Sequence, residues 1–320
     1  MRRVLLTGAT GFVGKRAYPA LRAAGWEVRS ASRHAEASAR KYPDREWIRF
    51  DVENAETVAH AVAGMNAILY LVHAMGQGGD FETKERAAAR TLVREAERAG
   101  VQRIVYLGGV APAGEPSKHL RSRLATGELL RQSSIATIEL RAGMIVGAGG
   151  LSWHIVRDLA ARLPFMVLPR WLRNRSQPVA IDDVVHALVR ALELPPDVRG
   201  VFDLPGPETL SGDEILTRIA HLLGTEPRML RVPVLTPKLS SYWLKLVTRA
   251  DFAVAQELIE GLTSDLIASN RSFWEFLPDR APTPFDTAAR AALAEDARQL
   301  PAGSRALERL LQHLSRRASA

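Results

Sequence analysis

The chain has 320 residues, a formal net charge of +8, 47% hydrophobic and 24% charged residues, and no cysteine. Those values describe a soluble globular chain: one large α/β domain, or one domain with a smaller lobe. The lack of cysteine excludes disulfides, thiolate catalysis and cysteine-ligated metal, and it fits a cytoplasmic setting.

The positive balance suits phosphorylated ligands or an anionic surface. No nucleic-acid motif is present, so no nucleic acid is expected as a partner. No stretch approaches the roughly 20 apolar residues of a spanning helix. Val4 opens a strand at once, so no signal peptide is expected.

The apolar run Val4–Leu6 predicts a strand that passes through Thr7-Gly8-Ala9-Thr10-Gly11-Phe12-Val13-Gly14 into a helix ending near Ala24, with Pro19 inside it. A strand, a glycine turn and a helix start form the layout of a dinucleotide-binding βα unit. Gly8 is expected to allow the sharp turn, Gly11 to let backbone approach a pyrophosphate, and Gly14 to bring the helix close to the sheet. The free N–H groups at the helix start favour phosphate. Cofactor contacts are therefore expected at Gly8, Thr10, Gly11, Phe12, Val13 and Gly14.

The next strand, Glu27–Ala31, ends in Ser32-Arg33-His34. About 20 residues beyond a glycine loop, an acidic residue would bind the ribose hydroxyl of NAD. Ser32 and Arg33 suit the phosphate of NADP(H) instead, so NADP(H) is favoured over NAD(H). Arg33 taken alone also reads as a solvated strand-end residue. Trp47–Phe50 predicts a third strand ending in Asp51-Val52. Asp51 either accepts from an adenine amine or caps the helix around Thr57–Ala63.

The continuous apolar run Ala67–Val72 predicts a central parallel strand. Leu71, Val72 and His73 at its end are expected beside the cofactor. A lone histidine such as His73 more commonly caps a strand end by bonding backbone. A helix over Asp80–Ala99 carries the stripe Phe81, Ala88, Leu92, Ala96 and Ala99. Strands follow at Arg103–Leu107, Ala136–Arg141 and Val201–Leu204, with a helix at Leu120–Gln132. The alternation predicts a Rossmann-type doubly wound parallel sheet.

After about Gly150 the pattern becomes mostly helical: Trp153–Leu163, a helix capped by Asp182, the capping box at Ser211–Glu214, Leu239–Thr248, Asp251–Leu262 and the chain end. The expected division is a core over 1–150 with 176–206 returning to the sheet, a substrate lobe over 151–175 and 207–300, and a tail over 301–320. Trp153, Phe165, Trp171, Tyr242 and Trp243 either wall an apolar substrate pocket or form core. Arg141 either faces the cavity or pairs with a buried carboxylate. Arg170, Arg173 and Arg175 read as a solvated basic face or a peripheral membrane contact.

The motif TGATGFVG, together with YLVHAM at Tyr70–Met75, IVYLGG at Ile104–Gly109 and HLRSR at His119–Arg123, resembles the atypical and extended branch of the short-chain dehydrogenase/reductase superfamily. More narrowly it is similar to a bacterial NAD(P)H-binding group described as epimerase/dehydratase or NmrA-like. The resemblance implies oxidoreductase chemistry on a small, apolar substrate, in a monomer or homodimer. It also implies a serine after the fifth strand and a Tyr-x-x-x-Lys pair. This chain has Gly108 or Gly109 at the first place and His119-x-x-x-Arg123 at the second. His119 titrates near neutral pH and can move a proton. Arg123 cannot act as a base but can hold the cofactor ribose. The alternatives are surface positions for both, and a non-catalytic NADP(H)-binding sensor or scaffold.

Overall fold

The computed structural model describes residues 2–72, 81–162, 165–225, 228–232, 264–278 and 280–299. Its first half alternates strand and helix: β1 (Arg2–Leu6), α1 (Phe12–Ala23), β2 (Trp26–Ser32), α2 (Ala35–Lys41), β3 (Glu46–Arg49), α3 (Ala55–Val62), β4 (Ala67–Tyr70), α4 (Phe81–Arg98), β5 (Arg103–Gly109), α5 (Lys118–Arg131) and β6 (Ala136–Ala142). Short strands then interrupt the helices: β7 (Ile145–Val146), α6 (Leu151–Arg162), β8 (Phe165–Pro169), β9 (Arg175–Ser176), β10 (Val179–Ala180) and α7 (Ile181–Glu193). The described remainder holds β11 (Gly200–Asp203), β12 (Leu210–Ser211), α8 (Gly212–Leu222), β13 (Arg228–Val232) and α9 (Phe285–Gln299).

Seven strands form one sheet in the order β11-β6-β5-β4-β1-β2-β3, with every pairing parallel. β4 and β5 are buried along their whole length. That is why they read as unbroken apolar runs rather than alternating ones. Residues of β1, β4, β5 and β6 pack on α1 and α7 on one face. Alternate residues, among them Leu5, Ile68, Tyr70, Ile104 and Tyr106, pack on α3 and α4 on the other. A third cluster joins α6, α8 and α9 through Trp153, Ile215, Ile219 and Phe285. Trp153 is fully buried and donates to Asp296, so it is core.

Two capping assignments are corrected. Asn54, not Asp51, caps α3, accepting from the Glu56 and Thr57 N–H groups at 3.0 and 3.3 Å. The helix starts before Thr57, and the Asp51 carboxylate instead accepts from Glu53 N–H at 3.1 Å. Likewise α7 starts at Ile181 after Ala180 as N-cap, with no side-chain cap, because β10 runs directly into it. Asp182 falls in the first turn, where its charge still interacts favourably with the positive end of the helix dipole. The Ser211–Glu214 capping box forms as expected.

Helices α2 and α9 have no counterpart in the sequence reading. With seven residues α2 is too short to show a stripe. In α9 the buried positions are mostly alanine, which gives only a weak apolar period. The helices expected over Leu239–Thr248, Asp251–Leu262 and the chain end lie outside the described residues, with His73, Tyr242 and Trp243. So do the side chains of Phe165, Arg170 and Trp171. Arg173 is exposed, and Arg175 pairs with Asp265 at 2.9 Å. Among the described residues no helix is long and apolar enough to cross a membrane, and no group of three or more His, Asp or Glu is placed to hold a metal.

Candidate cofactor-binding and active site

Thr7 sets the geometry of the glycine loop. Its hydroxyl accepts from the Leu71 N–H at 2.9 Å and donates to the Leu69 carbonyl at 3.2 Å. The ends of β1 and β4 are thereby pinned together. Gly8 then turns with φ of 62°, and a Cβ there would stand 2.8 Å from the Leu71 carbonyl oxygen. A Cβ on Gly14 would stand 2.2 Å from the Gly8 carbonyl oxygen. So Gly14 makes room for the turn rather than for the sheet.

Gly11 is a different case. Its φ of −77° and ψ of 177° suit any residue. Only the Gly8 carbonyl oxygen, 3.2 Å away, approaches its Cβ position. The remaining space is open, and α1 starts there with no side-chain cap. Its first-turn N–H groups lack intrahelical partners and point their dipole at that space, which suits an anion. Thr10 is exposed beside it. The Phe12 ring rests on the Gly147–Gly150 turn and receives the Arg16 guanidinium at 5.2 Å, while Val13 packs against the core.

A cavity of about 450 Å³ begins at Gly8, Thr10 and Gly11. On the β2–β3 side it is lined by Ser32, Arg33, His34, Asp51, Val52 and Glu53. On the β4–β5 side it passes Leu71 and Val72 and reaches Tyr70, Glu85, Ala88, Tyr106 and Thr126. The structure thus brings the loop, Ser32, Arg33, Asp51, Val52, Leu71 and Val72 together around one cleft. Phe12, Val13, Gly14, His119 and Arg123 are not among the residues that line it.

Arg33 is exposed and makes no ion pair or side-chain hydrogen bond among the described residues. Ser32 is committed locally: its hydroxyl oxygen accepts from the His34 N–H and from the Ser38 hydroxyl, each at 3.1 Å. Free positive charge at the end of β2 fits a phosphorylated nucleotide. The open Gly11 position and the uncapped helix start fit a diphosphate. The residues present therefore fit a nicotinamide dinucleotide.

At the other end, α5 leans on the tip of β5. Arg123 Nη2 donates to the Leu107 carbonyl at 3.1 Å, and the Tyr106 hydroxyl donates to the Arg123 carbonyl at 3.2 Å. Burial pushes the Tyr106 phenol up to about 12, with Arg123 opposing and Glu139 and Glu85 reinforcing it. Tyr70 is raised as well, by burial first and then by Tyr106 and Glu85. Both phenols therefore stay protonated near neutral pH, and that of Tyr106 serves as a donor. His119 lies below the ordinary imidazole range because burial and Arg123 disfavour its charge, while Glu85 favours it.

Gly108 and Gly109 close β5 under close contact. A Cβ on Gly108 would stand 2.9 Å from Glu139 Oε1, and one on Gly109 would stand 2.7 Å from Leu120 Cδ1. Glu139 on β6 is fully buried and accepts from Arg131 Nε at 2.9 Å and Arg141 Nε at 2.7 Å. So Arg141 pairs with a buried carboxylate. That ion pair fills the volume a side chain at 108 would need.

Residues 8–161 match the NAD(P)H-binding family. Over that stretch the chain is similar to NAD(P)H-binding proteins, and the relatives and the fold support an atypical short-chain dehydrogenase/reductase-like grouping. The ceramide reductase of Caulobacter vibrioides is 26% identical over 241 residues, 72% of this chain and 73% of that relative. A 3-diazoavenalumate denitrifying reductase from a Streptomyces species is 28% identical over 276 residues, 76% of this chain and 88% of its own. The Citrobacter triphenylmethane reductase, solved with NADP(H), superposes with a TM-score of 0.72 over 91% of this chain and 99% of that one, at 17% identity.

The cleft also contains groups that motif spacing did not single out. Glu85, Lys84, Tyr70, Tyr106 and Thr126 all line it. One signal was available for Glu85. It falls on the α4 stripe between Phe81 and Ala88, where a carboxylate replaces the apolar residue that the period requires.

Proposed function

We propose that the protein is an NADP(H)-dependent oxidoreductase acting on an organic carbonyl, enone or quinone-like substrate, without a serine–tyrosine–lysine triad. The observation that carries this reading is the free Arg33 cation beside an open glycine loop in one continuous cleft. The relatives described above are reductases, which supports the reaction class. The bound cofactor would supply hydride. Arg33 would hold its 2′-phosphate, Asp51 would accept from the adenine amine, and Leu71 and Val72 would cover the middle of the nucleotide. Arg123 supplies fixed positive charge at the β5 end, and His119 is the imidazole that exchanges the proton.

The substrate would be enclosed by the region after residue 150, and the chain would act as a monomer or homodimer in the cytoplasm. The reaction is tested by NADPH oxidation with a panel of aldehydes, ketones and quinones. Turnover on any of them supports the reading. Tight NADPH binding with no turnover on the whole panel would favour a redox sensor. The glycines at 108 and 109 are the observation behind that second reading.

Cofactor choice has its own test. Arg33→Asp should shift the ratio of NADPH to NADH dissociation constants toward NADH by at least about tenfold, or 1.4 kcal/mol. The loss combines a removed guanidinium–phosphate pair with an added like charge. An unchanged ratio in fluorescence titration would remove Arg33 from the site.

A further inference from the structure

The geometry points to Glu85 as the carboxylate partner of His119, so that the two act as one proton-transfer pair in which Glu85 is a positioning residue. This rests on the oxidoreductase reading above. Three observations carry it. First, the Ser122 hydroxyl, fully buried, donates to Glu85 Oε2, which fixes the carboxylate against α5. Second, His119 lies three residues before Ser122, one helical turn along the same α5 face that the carboxylate meets, and Glu85 acts electrostatically on its imidazole. Third, Glu85 lines the cleft together with Thr126, whose buried hydroxyl has no partner among the described residues. Thr126 lies a further turn along the α5 face, at i+4 from Ser122.

A carboxylate at an inward stripe position is costly unless it is used or paired. Here the pairing is with a serine from the neighbouring helix, at the cleft end next to the β5 tip. Two charged groups act on His119, Arg123 from α5 and Glu85 from α4, and Glu85 also acts on Tyr70 of β4 and, with Glu139 of β6, on Tyr106 of β5. Arg123 and burial oppose the imidazolium, and Glu85 is the group that favours it.

In the reductive direction, bound NADPH would supply a hydride from its dihydronicotinamide C–H bond to the carbonyl carbon, leaving NADP+, and the C=O π pair of the substrate would move onto oxygen. The imidazolium N–H breaks and its proton completes the hydroxyl. Neutral His119 then regains a proton from solvent through the cleft, with the carboxylate of Glu85 stabilising the restored charge. The reverse steps serve oxidation.

The test uses Glu85→Gln in the full chain, with Ser122→Ala as a second variant and Glu85→Asp as the conservative rescue. The His119 ring protons are titrated by NMR in protein free of cofactor. Loss of the carboxylate should move the His119 midpoint to lower pH, and Glu85→Asp should restore it. With NADPH and menadione or p-nitrobenzaldehyde, Glu85→Gln should lower kcat about 10- to 100-fold. KM for NADPH should stay within about threefold, and the alkaline limb of the pH profile should move to lower pH with the histidine. Ser122→Ala should show the same changes more weakly.

An unmoved His119 midpoint in a folded Glu85→Gln protein overturns the pairing. So does a kcat that stays within about twofold of the parent. If the parent itself binds no NADPH, the oxidoreductase reading fails, while the cofactor-free titration still decides whether Glu85 and His119 are coupled.

Discussion

Gly11→Leu should give a folded protein whose NADPH affinity is at least about 100-fold weaker, roughly 2.7 kcal/mol. The dihedrals at Gly11 are ordinary extended values, so leucine meets no backbone strain. Its Cβ meets only the Gly8 carbonyl oxygen at 3.2 Å, which asks the loop to give by a few tenths of an ångström. Replacing glycine by leucine at an N-cap costs about 0.5 to 1 kcal/mol. The rest of the side chain then occupies the space that the diphosphate must enter. The same change at Gly14 forces a Cβ to within 2.2 Å of the Gly8 carbonyl, so even Gly14→Ala should lower the unfolding midpoint more than Gly11→Leu does. Urea unfolding and NADPH fluorescence titration separate the two effects. A Gly11→Leu protein that binds like the parent would show that backbone at residue 11 never meets the phosphates.

The parts of this molecule that were legible in the sequence are those where one residue answers to one local requirement. Gly8 needs a positive φ, β4 and β5 need apolar residues on both faces, and the Ser211–Glu214 box needs a hydroxyl and a carboxylate three residues apart. Each requirement leaves its own mark in the chain. The less legible parts depend on partners distant in sequence. Gly108 reads as a lost serine until Glu139, 31 positions later, is found in the space above it. Glu85 reads as a break in a stripe until Ser122 from the next helix meets it. Helix α9 reads as weak because alanine carries little hydrophobic signal, yet it buries Phe285 against α8 and pairs Asp296 with Trp153. The glycine loop therefore announces a nucleotide, while the proton chemistry proposed above would rest on contacts between α4, α5 and the ends of β5 and β6.

Glu139→Ala should destabilise the protein by about 3 to 5 kcal/mol, because removing one partner leaves buried charge without compensation. The two guanidinium groups do not respond alike. The Arg131 side chain is 28% exposed and can swing toward water, whereas that of Arg141 is 12% exposed and has no such route. The cost should therefore fall mainly on Arg141. Glu139→Gln keeps the volume and an acceptor oxygen, so it should lose less. The double substitution Glu139→Leu with Arg141→Met should recover part of the loss, since a buried ion pair can often be replaced by apolar residues without penalty. The consequences reach the site as well. Gly108 and Gly127 both pack on this carboxylate, with Cβ positions 2.9 and 2.4 Å from its atoms, so it sets how closely α5 approaches β5. Arg123 and His119 ride on that helix. Guanidinium unfolding gives the stability change, and NADPH titration of the still-folded fraction should show affinity falling with it. An alanine variant within about 1 kcal/mol of the parent would mean that water reaches both arginines, and that the glycine at 108 owes its place to something other than the ion pair above it.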